Sequence, residues 1–561
     1  MRSSGRADPV PVRVDSRIPR YAVAVCFTLL WVAVLLAQPS LKPLAAVLAG
    51  GATGASALAM FAFHRRRLPG EARWALVAGG IGLAALLAGA LSKPAPLVSI
   101  FGVAGQHNGW LMWAIMLLWL AVGTQMGRGR QMRALIWSVA VLGTVAAVFA
   151  LLDATHLVEF VRYSPEVAGL MESSISLGQI LLLSLGATAA AVTMERSWGV
   201  RSVVAAAFLL QVAALAVSSA RGAQLTFLVA ALVAALWVLG GKLSPGLRRT
   251  LWAVVAAGLV AAIAAVAVFA WLGPVRLSVV DRLLTGRPTI WHSAWGRLPA
   301  HLLLGEGPDR FTSLVAWSLK GGYIDWTATN SPHDVLLDWA LGGGLAALGA
   351  FLSAFVLAGR GVARRLAASP PGPRILAIGA GAWAVSLLTS WIDPLSAFAA
   401  ALIVGAVLSQ GDVERVVSPA RTATTATIVA VAIAMLVIGV PLFGIERGWA
   451  SERGTATVDL AAQEARWERW PDPAFGGDAL RTGLAGLPAS APATGRLASE
   501  VLARTPWDVN GALESVEAVV GVGQAVPSAQ RPSLAQALAV GRDADPASPI
   551  WDRLKALLGS R

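Results

Sequence analysis

The sequence is poor in cysteine and in charge. One of its 561 residues is a cysteine, Cys26, so an intramolecular disulfide is excluded. Charged residues make up 14% of the chain, whereas soluble proteins carry about 25%. Together with 56% hydrophobic residues and a mean hydropathy of +0.66, this excludes an ordinary soluble domain. The composition predicts an all-α, multi-pass membrane protein.

Other patterns are also missing. On the predicted outer face, no cluster of His, Asp and Glu has metal-ligand spacing, so we expect no metal site and no cofactor. No two carboxylates can be placed across a site, which disfavours paired-carboxylate glycosidase chemistry. The first apolar run lacks a small-x-small cleavage site. We therefore interpret residues 1–20 as a cytoplasmic tail followed by a retained helix.

The excess of positive charge belongs to the membrane region. The chain has a formal net charge of +14. From Ile445 onward, however, there are 12 Lys and Arg against 14 Asp and Glu. The basic residues therefore indicate membrane topology, and nucleic acid is not an expected partner.

Thirteen apolar runs are long enough to be membrane spans, which need about 20 mostly apolar residues. If the N-terminus lies inside, the loops on that side are all basic, while the short loops opposite are poor in Lys and Arg. The alternation predicts a bundle of about 12–13 spans over residues 21–444 of a cytoplasmic (inner) membrane, in contact with membrane lipid. The predicted spans are 21–38, 43–63, 74–92, 110–127, 134–152, 177–194, 202–219, 222–239, 251–272, 334–358, 375–391, 394–410 and 424–444.

Two regions are placed outside the membrane by this topology. Residues 273–333 form an external loop too long for a simple connector, and long loops are usually functional. Residues 445–561 contain short amphipathic patterns with loose similarity to tetratricopeptide turns, without a clean 34-residue period. We expect a small helical domain without activity of its own. Such a domain is suited to contacting another molecule.

Arg221 is the one basic residue inside an apolar run, in "QVAALAVSSARGAQLTFLVAALVAALWVL". A guanidinium keeps its charge, so burial would need a partner or a watery cavity. We expect a buried arginine at the outer end of a helix pair that grips an anion such as phosphate. The alternative is that its side chain merely extends to the interface.

The external loop and its end supply two further candidates, Arg287 and His333. Arginines suit a diphosphate, and a histidine suits proton transfer near neutral pH. Taken singly, Arg287 is typical of a solvated loop charge and His333 of a polar residue at a helix start. We interpret His301 as a surface residue and Gly342 to Gly344 as a close helix-packing site.

Three segments resemble the O-antigen ligase and O-antigen polymerase superfamily. They are "SSARGAQLTFL", "GRPTIWHSAWGRLPAHLLLGEGPDRF" and "NSPHDVLLDWALGGGLAALG". The resemblance covers about residues 20–445, and its specific part is 218–350. It implies transfer of a glycan from a polyprenyl diphosphate carrier, such as undecaprenyl diphosphate, to an acceptor outside the cytoplasmic membrane. It also implies an inverting reaction that needs no nucleotide sugar and no metal. In such a protein, residues 445–561 would contact the glycan, a chain-length partner or another cell-wall protein.

The resemblance also implies roles for individual residues. The family's two arginines fall on Arg221 and Arg287, which would hold the diphosphate as it leaves. Its histidine falls on His333, which would orient or deprotonate the acceptor hydroxyl. The family often has Asn at the next position, where this chain has an aspartate. We take the following as further substrate-binding candidates: Asp334, Asp338, Trp291 and Arg310.

Several functions stay open at this point. Ligation to a lipid or glycan acceptor ranks first, and polymerisation of lipid-linked repeat units uses the same donor. A transporter or flippase of a lipid-linked substrate would also use arginine, but it should show internal repeats or broken helices, which the sequence does not indicate. A shape-and-division type glycan polymerase would need a catalytic acid motif that is not evident. A membrane scaffold would leave the ordered Arg–Arg–His set unexplained.

Overall fold

The structure is a computed structural model. It describes residues 19–37, 41–61, 68–93, 96–103, 106–126, 129–158, 166–171, 173–239, 287–311, 331–366, 369–410 and 441–447, with scattered single positions elsewhere. Four predicted segments lie mostly or wholly outside these residues: the tail 1–20, the spans 251–272 and 424–444, and the region 445–561. The same holds for 273–286 and 312–330 of the external loop.

Within the described ranges all regular secondary structure is helical, which confirms the predicted all-α class. Most of the helices are rich in Ala, Leu and Val and start and end near Gly, Pro, Ser or charged residues. The helices are α1 (Pro19–Leu36), α2 (Lys42–Phe61), α3 (Gly70–Leu91), α4 (Pro96–Phe101), α5 (Trp110–Gln125), α6 (Arg130–Ala154), α7 (Ser174–Met194), α8 (Trp198–Val217), α9 (Arg221–Leu239), α10 (Arg287–His301), α11 (Val335–Leu366), α12 (Pro371–Ser386) and α13 (Pro394–Leu408).

Eleven of the thirteen predicted spans coincide with one of these helices. Among the described residues, six helices are long and apolar enough to cross a membrane: α2, α3, α6, α7, α8 and α11. Residues within α1, α5, α9 and α13 form shorter apolar helices. The chain is therefore a multi-pass membrane protein by helix composition. Which end of each helix faces outward stays a prediction.

Small residues bring the helices into close contact. A Cβ atom added to Gly123 of α5 would lie 2.4 Å from the carbonyl oxygen of Leu402 in α13. Likewise, a Cβ atom on Gly186 of α7 would lie 2.9 Å from the Cα of Gly379 in α12. Because apolar surface gives little driving force inside a lipid bilayer, such close backbone contact is a main source of helix association there.

Helix α7 lies in the interior of the bundle and packs against α6, α8, α9 and α12. Of its most apolar 18-residue window, 78% is buried within the protein. Ser173 caps its N-terminus by accepting a hydrogen bond from the Ser176 backbone N–H at 3.1 Å. The start of α7 is thereby fixed where it faces the cavity described below.

Helix α11 is broken in its first half. Gly343 (φ −142°, ψ 19°) and Gly344 (φ 69°, ψ −168°) depart from helical geometry. The sequence-based expectation of no broken helix is therefore wrong for α11. The expected close packing is confirmed, because a Cβ atom on Gly344 would lie 2.5 Å from the Leu303 carbonyl oxygen.

The loop that follows α10 satisfies the backbone groups freed by this break. The Leu345 N–H donates to the Leu302 carbonyl at 2.8 Å. In the other direction, the N–H groups of Glu306 and Gly307 donate to the carbonyls of Leu341 and Gly342 at 2.7 and 3.0 Å. We call residues 302–311 together with 341–345 the joint.

Charged side chains reinforce the joint. Glu306 pairs with Lys93 at 2.5 Å and with His301 at 2.7 Å. His301 is therefore not a surface residue, because its ring is 16% exposed and hydrogen-bonded. Asp309, which is buried, accepts hydrogen bonds from the backbone N–H groups of Val103 and Asn108 at 2.6 and 3.2 Å. The loop after α10 is thus fastened to the neighbouring helices by its own charges.

Candidate functional site

A polar cavity of about 250 Å³ lies where several helices begin. The structure brings Arg221, Arg287 and His333 together on its wall. These three residues are separated by up to 112 positions in the chain, so only the fold makes them neighbours. The remaining lining residues are Glu166, Ser174, Ile175, Gln179, Ser219, Ala220, Gly222, Ala223, Ile290, Ser386 and Ser390.

Arg221 is the first residue of α9 and is exposed. The expectation that Arg221 is buried is therefore wrong, whereas its expected place at the end of a helix pair agrees with the structure: α8 ends at Val217 and α9 begins at Arg221. Gln224 holds the turn between these helices: its Nε2 donates to the carbonyls of Leu215 and Ser218 at 2.9 and 2.5 Å. Arg221 is thereby fixed at the cavity entrance.

Arg287 is the first residue of α10. This helix lies against α11 through an apolar cluster, so its N-terminus is held beside that of α11. Burial lowers the pKa of Arg287; the nearby Glu166 opposes this shift and Arg221 adds to it. Its Nε atom has no hydrogen-bond partner among the described residues. The guanidinium thus retains donor capacity for a ligand.

His333 lies two residues before α11 and is 9% exposed. Its φ of 54° is in the left-handed region that side chains rarely adopt. The Ser331 hydroxyl stabilises this turn: it accepts from the His333 N–H at 3.1 Å and donates to Asp338 at 2.9 Å. Strained backbone of this kind persists where the surroundings hold it in place, often at functional sites.

The His333 imidazole is neutral at physiological pH. Burial lowers the pKa of His333 to about 3, and the positive charge of Arg287 contributes to the shift. Its Nδ1 atom is buried without a hydrogen-bond partner among the described residues. A neutral imidazole with an unengaged nitrogen can accept a proton or a hydrogen bond from a bound molecule.

The helix directions add to the positive potential. Helices α7, α9 and α10 each present their first turn to the cavity, and His333 immediately precedes α11. A helix N-terminus carries a partial positive charge, so an arginine there costs about 0.3–1 kcal/mol of stability. Arg221 and Arg287 both occupy such unfavourable positions. The arrangement is suited to an anion, which the helix ends and the guanidinium groups would bind together.

Sequence reasoning missed Glu166, the one carboxylate among the described residues that line the cavity. Its Oε2 accepts a hydrogen bond from the Ser174 hydroxyl. The sequence gives no local signal for this placement, because Glu166 stands in a loop between two helices with other polar residues around it.

A second set missed by sequence reasoning is the polar wall around Gln179. Its Nε2 donates to the Trp391 carbonyl at 2.6 Å and to the Ser390 hydroxyl at 3.1 Å. Its Oε1 accepts from the Asp393 N–H at 3.1 Å and from the Ser396 hydroxyl at 2.8 Å. Gln179 thus ties α7 to the connection between α12 and α13 and closes one side of the cavity.

Four of the predicted substrate-binding residues do not line the cavity. Asp334 caps α11 by accepting from the Leu336 and Leu337 N–H groups at 2.8 and 3.2 Å. Asp338 holds Ser331, as described above. Trp291 is fully buried in the apolar cluster between α10 and α11, and Arg310 is 3% exposed in the joint. Substrate binding by these four residues stays a prediction.

Another cavity, of about 190 Å³, lies among α5, α11, α12 and α13. Its wall is apolar, with residues such as Leu117, Phe351 and Trp383, and none of its described lining residues is titratable. The polar cavity is the better candidate for chemistry because it gathers the arginines and the histidine. Within the described residues, no group of three or more His, Cys, Asp or Glu side chains is placed to hold a metal ion.

The fold and the cavity define a multi-pass helical membrane protein with a site suited to an anionic ligand. Residues 206–352 match the model of a protein family described as O-antigen ligase. The resemblance expected from the sequence is therefore confirmed over this stretch, which runs from within α8 to within α11 and contains Arg221, Arg287 and His333. No curated protein matches the chain.

Proposed function

We propose that the protein is a membrane glycosyltransferase that moves a glycan from a polyprenyl diphosphate carrier to an acceptor hydroxyl. The observation that carries this proposal is the convergence of Arg221, Arg287 and His333 on one cavity. The match of residues 206–352 to the O-antigen ligase family supports the same class of reaction. The predicted topology puts the cavity on the outer face of the cytoplasmic membrane.

The two arginines would bind the donor diphosphate. As the bond between the anomeric carbon and the diphosphate oxygen breaks, the electron pair stays on the diphosphate. The guanidinium groups and the helix N-termini would stabilise this developing negative charge, which is the kind of interaction that lowers a barrier most. The protein's own charges would thus stabilise the diphosphate leaving group.

His333 would act on the acceptor. Its neutral imidazole would take the proton of the acceptor hydroxyl while the oxygen attacks the anomeric carbon from the face opposite the diphosphate. The configuration of that carbon would be inverted. A bound dianion would offset the charge of Arg287 and raise the pKa of His333 above its value in the free protein, which would make it a better base when the donor is present.

The alternatives differ in acceptor or in outcome. Transfer to a lipid or glycan acceptor once would be ligation, and repeated transfer to a growing lipid-linked chain would be polymerisation. Both use the same donor chemistry, and ligation stays our first choice. A transporter or flippase would bind the donor without cleaving it. The break in α11 is filled by the joint, so it gives that alternative no binding site.

The test is release of the lipid diphosphate by purified full-length protein given a polyprenyl diphosphate-linked oligosaccharide and a lipid acceptor. We expect release by the wild type and its loss in Arg221→Gln, Arg287→Gln and His333→Asn. Asn is chosen at 333 because it tolerates a left-handed backbone. The matched controls are Arg360→Gln, at an exposed arginine, and His156→Asn, at an exposed histidine with a φ of 56°.

The products would separate the alternatives. A single added glycan indicates a ligase, and a ladder of lengthening products indicates a polymerase. Full activity in His333→Asn would contradict the proposed mechanism. Binding of the donor without cleavage, with any acceptor tried, would favour the transporter.

A further inference from the structure

We infer that Glu166 is the resident counter-ion of the cavity. It balances Arg287 in the free protein and gives up that interaction when a diphosphate binds, so it weakens diphosphate binding and speeds product release. The identity of the ligand rests on the proposed function. Glu166 would be a positioning residue, since it acts through Arg287.

Hydrogen bonds from two other parts of the chain hold the loop segment that carries Glu166. Two residues farther along the loop, the N–H groups of Ala168 and Gly169 donate to the Asp153 carboxylate at 3.1 and 3.0 Å. The Lys42 ammonium donates to the Leu170 carbonyl. Both charged side chains are buried, and buried charges are costly unless they are used in such bonds. Two helices, α2 and α6, thus fix the short segment that carries Glu166.

Glu166 places a negative charge in a cavity that also contains two arginines. Its Oε2 is hydrogen-bonded by Ser174 at the start of α7, on the same cavity wall as both arginines. Arg287 is attracted by Glu166 and repelled by Arg221. A carboxylate on the same wall reduces the mutual repulsion of the two guanidinium groups, and it competes with an entering anion for Arg287.

If Glu166 is a counter-ion, its replacement should change the affinity for an anion in the direction opposite to that expected for a structural residue. If Glu166 only supported the cavity wall, its replacement would loosen the site and weaken anion binding. If it is a counter-ion, removing its charge makes the cavity more positive, so an anion binds more tightly and leaves more slowly.

The first experiment measures binding of inorganic diphosphate to the full-length protein in detergent by calorimetry. We expect Glu166→Gln to bind about three- to ten-fold more tightly than wild type, the size expected for one nearby charge. Glu166→Asp, which keeps the charge, should bind like wild type. The control is Glu71→Gln, since Glu71 pairs with the exposed Arg364 away from the cavity, and it should change nothing. Unchanged or weaker binding in Glu166→Gln would overturn the inference.

A double variant tests the action through Arg287. Combining Glu166→Gln with Arg287→Gln should shrink the gain in affinity to less than about two-fold, because interacting residues do not contribute additively. A gain of undiminished size without Arg287 would overturn the assigned partner.

A turnover measurement connects this inference to the proposed reaction. In the transfer assay, Glu166→Gln should lower both the donor KM and kcat, as expected when product release slows. If the wild type transfers no glycan, the proposed function fails, while the diphosphate titration still decides whether Glu166 is the counter-ion.

Discussion

Two charged clusters receive residues from the same stretch, 287–311, and they differ in how the charges are used. In the joint, Glu306 is paired with both Lys93 and His301, and three backbone hydrogen bonds join the loop to α11. At the cavity, Arg287 Nε and His333 Nδ1 have no partner among the described residues. The charges of Glu306, Lys93 and His301 are thus used in internal pairs, although the Asp309 Oδ1 atom of the joint also lacks a hydrogen-bond partner among the described residues. At the cavity, by contrast, the unpaired atoms belong to residues that line a space large enough for a ligand. The loop is fixed at the joint. Arg287, at the other end of the same stretch, lies at the cavity with the strained and incompletely paired His333.

The largest effect is expected from substitutions of Arg221, Arg287 and His333 at the cavity. Arg221→Gln and Arg287→Gln should each lower kcat/KM about 100- to 1000-fold, with a higher donor KM, since they remove stabilisation of a leaving anion. His333→Asn should lower kcat by about 100-fold or more with little change in KM, because it removes a proton acceptor and not a donor contact. Steady-state kinetics with varied donor concentration separate the two patterns.

The next largest effect is expected from a substitution that disrupts the joint and leaves the cavity residues unchanged. In Gly344→Ala the new Cβ atom would lie 2.5 Å from the Leu303 carbonyl oxygen, on a residue with a φ of 69°. We expect a loss of about 2–4 kcal/mol of stability, the scale of overpacking plus backbone strain. The melting temperature in detergent measures it. The control is Gly349→Ala, whose Cβ atom would have nothing within 4 Å; equal melting of the two variants would contradict the close contact.

A smaller effect is specific to His333 and depends on pH. The folded pKa of His333 is about 3, while an unfolded histidine titrates near 6.5, so the unfolded state binds more protons between these values. Stability is therefore lost as the pH falls below about 6.5. His333→Asn should remove this loss, amounting to roughly 1–2 kcal/mol at pH 5. Melting curves at pH 7.5 and 5 should show it, with His156→Asn as the control; identical pH dependence in wild type and His333→Asn would count against a buried neutral histidine.

The smallest effect concerns the paired charges of the joint. Burial raises the pKa of Glu306, but the hydrogen bonds from His301 and Lys93 outweigh it, and the net shift is downward. Its stabilising contribution is thus present above the unfolded pKa of about 4.3 and is lost as the pH falls below it. Glu306→Gln should cost about 1 kcal/mol at pH 7 and less at pH 4. A melting difference that does not shrink on acidification would contradict the pairing.

The sequence was sufficient to predict the helical bundle and to single out the three residues that the structure brings together on one cavity wall. Apolar runs predict helices because a spanning segment must satisfy its own backbone, and eleven of thirteen coincide with helices. The turn before Arg221 is predicted, because the apolar runs 202–219 and 222–239 end and begin there. The break at Gly344 is not, because it depends on tertiary hydrogen bonds from the joint.

The electrostatic details of the site could not be predicted from the sequence either. Glu166 reaches the cavity because Asp153 and Lys42 hold the backbone of its loop, and nothing in the local pattern signals those long-range bonds. Conversely, Asp334 directly follows His333 in the sequence and was a substrate-binding candidate for that reason, yet its carboxylate caps α11. Local patterns indicate which residue types are available, and the fold decides which of them meet.

The most direct test of the central claim is an experimental structure of the protein with a polyprenyl diphosphate bound. We predict the diphosphate within hydrogen-bond distance of both the Arg221 and Arg287 guanidinium groups, with the His333 ring facing the space left for the acceptor. A diphosphate bound elsewhere, contacting neither arginine, would contradict the account.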